Sequence, residues 1–199
     1  SFDICASCVS KNGLHRHPLT HLKPSFERPL CIYPESIAKT LRNRFLCHQE
    51  RVLFQYCVPP VNRPQTRARW LYHEVYSASR SLSTSLCRTF GLIVGDVVAI
   101  IGENSPEWMI SDFACFFGGF ISVAQTLGMD AAQLQDKLNN SGAKVLICSS
   151  SEASRLSQTV LVPMLVFESV QWSDSISLPE SAWMPLVIRP PSSPCTFTY

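Results

Sequence analysis

The sequence lacks the short motifs that usually identify an enzyme active site. It contains no glycine-rich phosphate loop, no H-E-x-x-H metal motif and no G-x-S-x-G nucleophile turn. The acidic residues Asp96, Glu103 and Glu107 stand at turn or helix-start positions, and His48 and His73 have no neighbour in sequence that would orient them as a base. We therefore expect no catalytic residue and no cofactor-binding residue within these 199 residues.

The sequence also lacks a recognisable secretory signal peptide, although it contains nine cysteines. Their number is odd, whereas a disulfide framework needs paired cysteines and an oxidising compartment. Cys115 and Cys148 lie in apolar runs and are interpreted as small buried hydrophobic residues. The expected location is intracellular, either cytoplasmic or peripherally associated with a membrane.

Positive charge is concentrated in the first third of the chain. Residues 1–70 carry eleven Lys and Arg against four Asp and Glu, and residues 71–199 carry six against eleven. A basic region can contact anionic lipid or nucleic acid. Since no basic motif with interleaved aromatic residues accompanies the charge, we interpret it as a solvated surface and expect no nucleic-acid partner. Association with a membrane surface stays open.

One apolar run, Trp108–Leu127, has the length of a membrane span. Asp112 interrupts its apolar character, and the glycine pair Gly118-Gly119 interrupts its helical period. We expect a helix followed by a strand here. Asp112 is unusual on this helix, and we expect its carboxylate to bond to neighbouring backbone.

Strand and helix signals alternate between residues 91 and 149. Val97–Ile101 is an apolar β-branched run, typical of a strand buried on both faces. Ser105 and Pro106 then begin a helix that Gly118-Gly119 ends. The alternation continues with a strand over Phe120–Ala124, a helix between Asp130 and Gly142, and a strand over Ala143–Cys148. It predicts an α/β fold with a mostly parallel sheet flanked by helices.

Further elements are predicted on both sides of this alternation. Ile37, Leu41 and Phe45 recur at helical spacing, and Tyr72–Phe90 forms a long amphipathic helix that is expected to cover the sheet, with Arg80 and Arg88 on its other faces. Residues 169–183 are polar, show no period and are expected to be irregular. The remaining predictions are strands over Val52–Val58, Val162–Phe167 and Cys195–Tyr199, and a helix that begins at Ser149 with capping-box spacing to Glu152.

A cluster of thiols and imidazoles lies near the start of the chain. Cys5-x-x-Cys8 is followed by His15-x-His17, and thiolate and imidazole are ligands that Zn²⁺ prefers. Residues 1–23 resemble the C-terminal half of a ZZ-type zinc finger, a small protein-interaction module that binds two zinc ions. The earlier cysteine pairs of that family are absent, so these four residues are expected to form at most one zinc site. A chance C-x-x-C beside solvated histidines is the alternative.

Three segments together resemble a second family: G-D-x-V-A-I at 95–100, E-N-S-P-E-W at 103–108 and S-G-A-K-V-L-I at 141–147. They are similar to the first third of the adenylate-forming superfamily, which includes acyl-CoA synthetases, luciferases and peptide-synthetase adenylation domains. W-L-Y-H-E-V at 70–75 resembles the family's W-x-T-Y-x-E-V with one residue fewer. The resemblance implies that residues 35–199 are the N-terminal portion of a large AMP-binding domain, truncated before its phosphate loop. A partial zinc module at 1–23 and a linker at 24–34 precede it.

The second resemblance implies a two-step ligase reaction that uses ATP, Mg²⁺ and CoA. A fatty acid and ATP give an acyl adenylate and pyrophosphate, and the CoA thiol then takes the acyl group. Thr126-Leu127-Gly128 favours the long-chain acyl-CoA synthetases within the family. Because the family's phosphate loop follows a strand that ends as Thr196–Tyr199 does, we expect the isolated chain to have no ligase activity. The alternatives are a non-catalytic interaction protein, with a zinc segment that binds a partner protein and a degenerate α/β scaffold, and a truncated gene product.

Overall fold

The computed structural model describes residues 36–55, 69–190 and 193, together with the backbone of 196–198. Its helices are α1 (Ile37–Cys47), α2 (Tyr72–Phe90), α3 (Pro106–Gly118), α4 (Ala131–Ser141), α5 (Ser150–Leu156) and α6 (Val170–Ser175), with a 3-10 turn at Glu180–Ala182. Its strands are β1 (Val52–Gln55), β2 (Arg69–Leu71), β3 (Val97–Ile101), β4 (Ile121–Ala124), β5 (Ala143–Cys148), β6 (Met164–Val166) and β7 (Thr196–Thr198).

Five of the strands form a parallel sheet in the order β6-β5-β3-β4-β7. The first predicted strand, β3, lies at its centre, where Val98–Ile101 are fully buried. β1 and β2 form a separate antiparallel pair. The predicted α/β fold with a parallel sheet is therefore confirmed, because burial on both faces requires the continuous apolar run that β3 supplies.

Helices cover both faces of the sheet. On one face, α2 and α3 contribute Leu82 and Ile110 to a core that includes Val98 and Ile100 of β3. On the other face, side chains of α4 and α5 pack with Ala99 and Ile101. Alternate residues of one strand thus enter opposite cores, as the two-residue period of a strand requires.

The predicted helix boundaries between residues 105 and 142 are confirmed, and local capping explains them. The Trp108 N–H donates to Ser105 Oγ at 3.2 Å, and the Ala132 N–H donates to Asp130 Oδ1 at 2.9 Å. Gly119 ends α3 with φ of 71°. A Cβ on Gly119 would lie 2.5 Å from Val187 Cγ1, so both conformation and space require glycine there.

The amphipathic helix predicted around Ile37, Leu41 and Phe45 is α1. Phe45 is 2% exposed, and its ring lies 5.2 Å from the Phe113 ring of α3. Ala38 is buried and Leu41 is half-buried, but Ile37 is 44% exposed. The buried face is therefore rotated slightly from the one that the spacing suggests.

Helix α2 has the predicted limits. It was expected to cover the sheet, but it lies mainly outside α3. It packs mainly on α3, and α3 in turn contacts β3 and β4. Arg80 lies off the α3 face, as predicted, yet it is only 8% exposed. Its guanidinium lies over the Trp183 ring at 5.5 Å and donates to the Met184 carbonyl. A segment late in the chain therefore covers this charged residue.

The prediction that residues 169–183 are irregular is wrong. They contain α6 and the 3-10 turn, and the Trp172 N–H donates to Ser169 Oγ at 3.0 Å to cap α6. Trp172 is 3% exposed and its ring lies 5.2 Å from that of Phe167. One cap and one buried aromatic residue stabilise this helix, which is too short to produce a periodic pattern.

The three predicted peripheral strands are present, and β6 is shorter than expected, since it covers only the middle of the Val162–Phe167 run. β1 is described to Gln55, and the end predicted at Val58 lies outside the described residues. β7 covers Thr196–Thr198, and the predicted ends Cys195 and Tyr199 lie outside the described residues. None of the helices in the described part of the chain combines the length and apolarity needed to span a bilayer.

Candidate functional site

The carboxyl ends of β3 to β7 meet at one edge of the sheet, which we call the carboxyl edge. The helix after β3 lies on one face, and the helices after β4 and β5 lie on the other. Loops that leave neighbouring strands therefore diverge at this edge. In open α/β sheets such a divergence forms the crevice that binds ligands. Residues 102–105, 125–130 and 149–152 form the candidate site.

Backbone hydrogen bonds hold the strand ends at the carboxyl edge together. The Gln125 N–H donates to the Ile100 carbonyl at 2.9 Å, and the Phe167 N–H donates to the Cys148 carbonyl at 2.8 Å. A Cβ on Gly102 would lie 2.8 Å from the Phe167 ring, so a larger residue would displace that ring. These contacts fix the relative positions of the strand ends that form the floor of the candidate site.

Gln125 has an unsatisfied side chain at this edge. It is 8% exposed, and its Nε2 and Oε1 are both buried without a hydrogen-bond partner in the described part of the chain. Buried polar groups are almost always paired, since leaving one unpaired costs about 1–3 kcal/mol. Gln125 is not among the residues predicted from sequence. The signal that could have found it is a polar residue directly after an apolar strand in a parallel sheet.

Glu152 stabilises the neighbouring loop. Its Oε1 accepts from the Gly128 N–H at 3.4 Å, and its Oε2 forms an ion pair with Arg155. Burial and the Glu152 charge raise the pKa of the Cys148 thiol to about 12. Burial and the Asp112 charge raise the pKa of Cys115 well above its ordinary value. Both thiols are therefore inert at neutral pH, consistent with their predicted role as buried hydrophobic residues.

Among the described residues, Asp112 bonds to a side chain and not to backbone, so that prediction is wrong. The Ser122 hydroxyl of β4 donates to Asp112 Oδ1 at 2.6 Å and so links α3 to the sheet. Burial raises the pKa of Asp112, and the Ser122 hydrogen bond offsets part of that rise. The contact lies away from the carboxyl edge, and its role is structural.

The other acids named from sequence stand at the turn and helix-start positions predicted for them. Glu103 is exposed. Glu107 is in the first turn of α3, where a negative charge interacts favourably with the helix dipole. Glu107 is nevertheless 6% exposed, and its Oε2 has no partner in the described residues. Burial would raise the pKa of Asp96, but the Ile93 N–H and the Lys144 ammonium at 2.8 Å outweigh it and lower that pKa.

The two histidines in the described part of the chain lie beside the β1-β2 pair. His73 Nδ1 is 2.8 Å from the Gln49 carbonyl and 3.9 Å from a Glu50 carboxylate oxygen, in an exposed position. The His48 ring packs edge-on against Tyr72 at 5.5 Å. Neither histidine faces the carboxyl edge loops in any described contact.

The proposed zinc ligands Cys5, Cys8, His15 and His17 lie outside the described residues. Within the residues that the structure does describe, no group of three or more His, Cys, Asp or Glu side chains is placed to bind a metal. The zinc site therefore stays a prediction.

A small cavity lies at the opposite edge of the sheet. Its volume is about 30 Å³, and Ser36, Phe116, Phe120 and Arg189 are among the residues that line it. This volume is far below the roughly 300–1,000 Å³ of pockets that bind small molecules. The carboxyl edge remains the candidate site.

We compared the chain with models of known protein families, and one family matches the part of the chain that forms the parallel sheet. The sequence model that describes the AMP-binding enzymes matches residues 41–199. The chain belongs to the AMP-binding enzyme family. The predicted relationship to the adenylate-forming superfamily is thereby confirmed for most of the chain, whereas the resemblance of residues 1–23 to a ZZ-type zinc finger is not shown.

Human proteins are among the curated relatives of this AMP-binding domain. Human mitochondrial acyl-coenzyme A synthetase ACSM4 is 31% identical over 101 residues, which is 51% of this chain and 17% of the relative. Human mitochondrial malonate–CoA ligase ACSF3 is 27% identical over 128 residues, which is 58% of this chain and 22% of the relative. The chain thus spans about a fifth of the length of these relatives.

Solved structures share the fold of this AMP-binding domain. A long-chain-fatty-acid-CoA ligase, FadD1, from Archaeoglobus fulgidus superposes with a TM-score of 0.71 at 17% identity, covering 85% of this chain and 35% of the ligase. VinN in complex with 3-methylaspartate superposes with a TM-score of 0.70 at 16% identity, covering 82% of this chain and 43% of VinN. At this identity the likeness concerns the fold alone.

Proposed function

We propose that this chain is the N-terminal portion of an ATP-dependent fatty acid–CoA ligase. The match of residues 41–199 to the AMP-binding enzymes carries the proposal. The carboxyl edge supports it, since parallel α/β sheets bind nucleotides at this position. The named activity of ACSM4, an acyl-coenzyme A synthetase, supports the ligase class.

In the proposed reaction, a fatty acid carboxylate attacks the α-phosphorus of Mg²⁺-bound ATP and releases pyrophosphate. The CoA thiol then attacks the acyl carbonyl and releases AMP. This chain contributes the frame on which the reactants are oriented: the backbone bonds of β3 and β4 fix the floor of the site, and Glu152 holds the Gly128 turn beside it. Fatty acid, ATP and CoA are the proposed substrates, at an intracellular location.

Long-chain specificity is a finer part of the proposal. Thr126-Leu127-Gly128 supports it. The likeness to a malonate–CoA ligase supports a smaller acyl group instead. Comparing palmitate, hexanoate and malonate as substrates of the protein encoded by the whole reading frame separates these alternatives. We expect the highest kcat/KM with palmitate.

The reading frame itself tests the ligase proposal. We expect transcripts that encode residues 190–199 to continue into a glycine-, serine- and threonine-rich phosphate loop within about twenty codons. An unrelated continuation would contradict the proposal. For the isolated chain we expect no fatty-acid-dependent exchange of pyrophosphate into ATP, and measurable exchange would show that a site is complete within these residues.

A second proposal concerns the first 23 residues. We propose that Cys5, Cys8, His15 and His17 bind one Zn²⁺ and present a surface to a partner protein, on the basis of their ligand types and spacing. We expect one zinc ion per chain by atomic emission spectroscopy, lost in Cys5→Ser and retained in the control Cys31→Ser. A zinc-free wild-type chain would remove this proposal without affecting the first.

A further inference from the structure

Helix α1 has a basic outer side. It carries three cations, Lys39, Arg42 and Arg44, and no acidic residue. All three are exposed. The side chains of Arg42 and Arg44 form no hydrogen bond or ion pair with the described part of the chain. No neighbouring acid among the described residues therefore neutralises these two guanidinium groups.

Helical spacing groups the exposed residues of α1 on one surface. Lys39, Arg42 and Leu46 follow one another at intervals of three and four residues, so they lie along one line of the outer side. Ile37 and Arg44 are about two turns apart and lie together on its flank. We call these five residues the basic face. Since Ile37 and Leu46 are 44% and 40% exposed, aliphatic side chains lie beside the cations.

The inner side of α1 belongs to the core. Phe45 is 2% exposed, and its ring lies 5.6 Å from the ring of Tyr72. Ala38 is 4% exposed. A helix that lies in a membrane interface buries its apolar side at the acyl boundary and keeps its cations at the headgroups. Because the apolar side of α1 is packed inside the protein, contact with a bilayer is limited to the headgroup layer.

The chemistry of the basic face fits an anionic lipid surface. Anionic headgroups attract Lys and Arg, and aliphatic side chains beside the cations pack among the headgroups. Sites for single-stranded nucleic acid combine cations with exposed aromatic rings on which bases stack, and the basic face contains no aromatic residue. A protein partner needs a surface of complementary shape, whereas a fluid layer of headgroups adapts to a helix. Among these partners, lipid requires the least beyond what the basic face supplies.

We propose that the basic face binds the surface of bilayers that contain anionic lipid. The contact is peripheral and electrostatic, so it weakens with salt as the Debye length falls from about 10 Å at 0.1 M to about 3 Å at 1 M. Each Lys or Arg near such a surface strengthens binding about fivefold. The inference goes beyond the ligase proposal and does not depend on it, because the basic face lies on α1 and not at the carboxyl edge.

Sedimentation of the 199-residue chain with sucrose-loaded vesicles tests the proposal. One set of vesicles consists of phosphatidylcholine alone, and the other also contains phosphatidylserine. We expect binding to the second set only. The double variant Arg42→Gln with Arg44→Gln should weaken it about 25-fold, since about fivefold is lost with each charge. A sample without vesicles corrects for chain that sediments by self-association.

The matched control is Arg88→Gln with Lys137→Gln. It removes two positive charges from α2 and α4, outside the basic face, and should bind the vesicles nearly as the wild type does. Equal losses of binding in the two double variants would overturn the proposal, because net charge and not the basic face would then control binding.

Three further results would overturn the proposal. They are no binding to either set of vesicles, equal binding to both sets, and binding to a single-stranded oligonucleotide without binding to vesicles. An unchanged melting temperature of Arg42→Gln with Arg44→Gln is expected, since both side chains are exposed, and it would show that lost binding is not lost folding. Vesicle binding by a chain whose reading frame encodes no ligase would leave this proposal standing and remove the other.

Discussion

Asp112 and Ser122 show how one buried pair couples pH to stability. Burial raises the pKa of Asp112 in the folded state, and Ser122 Oγ donates to its Oδ1 at 2.6 Å. An acid with a raised folded pKa binds its proton more tightly when folded. The free energy of unfolding therefore falls as pH rises from the ordinary carboxyl pKa through the raised one.

The free energy of unfolding of the wild type should fall as the pH rises from 4 to 7.5. We predict that this fall is smaller in Asp112→Asn. Asparagine keeps an oxygen that accepts from Ser122 but carries no charge to bury. Urea unfolding at both pH values measures the effect. Ser122→Ala is the comparison, since it leaves the carboxylate buried and should lower stability by about 1–3 kcal/mol at pH 7.5. An Asp112→Asn variant with the pH dependence of the wild type would contradict the assignment.

Cys115 and Cys148 should be protected from alkylation in the folded chain. Both are fully buried, and their raised pKa values keep them as thiols at pH 8. We predict that iodoacetamide leaves both unmodified in the native protein and labels both in urea, as measured by peptide mass spectrometry. Rapid native labelling of either residue would contradict the described burial.

At the scale of elements, side chains of α2 hold a segment that is distant in sequence. The hydroxyls of Ser81 and Ser85 donate to the carbonyls of Leu178 and Ser175 at 3.0 and 3.1 Å. Arg88 donates to the Ala182 carbonyl at 2.7 Å. These bonds give partners to backbone carbonyls at the end of α6 and in the residues that follow it. α2 thus has two packed faces, an apolar one on α3 and a polar one on residues 175–184.

Arg80 is the central residue of that polar face, and we predict that Arg80→Met destabilises the protein by about 2–3 kcal/mol. The variant loses a charge-assisted hydrogen bond to the Met184 carbonyl and the stacking on Trp183. Urea unfolding followed by Trp fluorescence measures the loss. Arg88→Met is the control: Arg88 is exposed, so its loss should cost under about 1 kcal/mol. Equal effects of the two variants would argue against a special role for Arg80.

The sequence predicted the elements whose signals are local and missed the contacts that depend on tertiary packing. Ser105, Asp130 and Gly142 mark helix ends through their own side chains or backbone, so the limits of α3 and α4 could be predicted. The burial of Arg80 depends on a segment about a hundred residues later in the chain. The unpaired amide of Gln125 depends on which strands flank β4. The position of Gln125 directly after an apolar strand could have marked the residue, but no local pattern shows that its amide is unpaired.

At the scale of the whole molecule, the two edges of the sheet differ in character. The carboxyl edge contains the polar loops of the candidate site. At the opposite edge, Ile93, Val94 and Ile188 are 66%, 54% and 62% exposed. Val94 and Val187 both lie close to the position that a Cβ on Gly119 would occupy, so these apolar residues are neighbours. Exposed apolar patches favour association.

We predict that the isolated chain self-associates through this apolar patch. The double variant Val94→Lys with Ile188→Lys should increase the monomer fraction in size-exclusion chromatography with light scattering, because like charges at the patch repel between copies. Val170→Lys is the control, since Val170 is 79% exposed on α6, a separate element, and its replacement adds a charge outside the patch. If Val170→Lys raises the monomer fraction as much as the double variant, net charge and not the patch controls association. A wild-type chain that is monomeric at every concentration would exclude the patch as an interface.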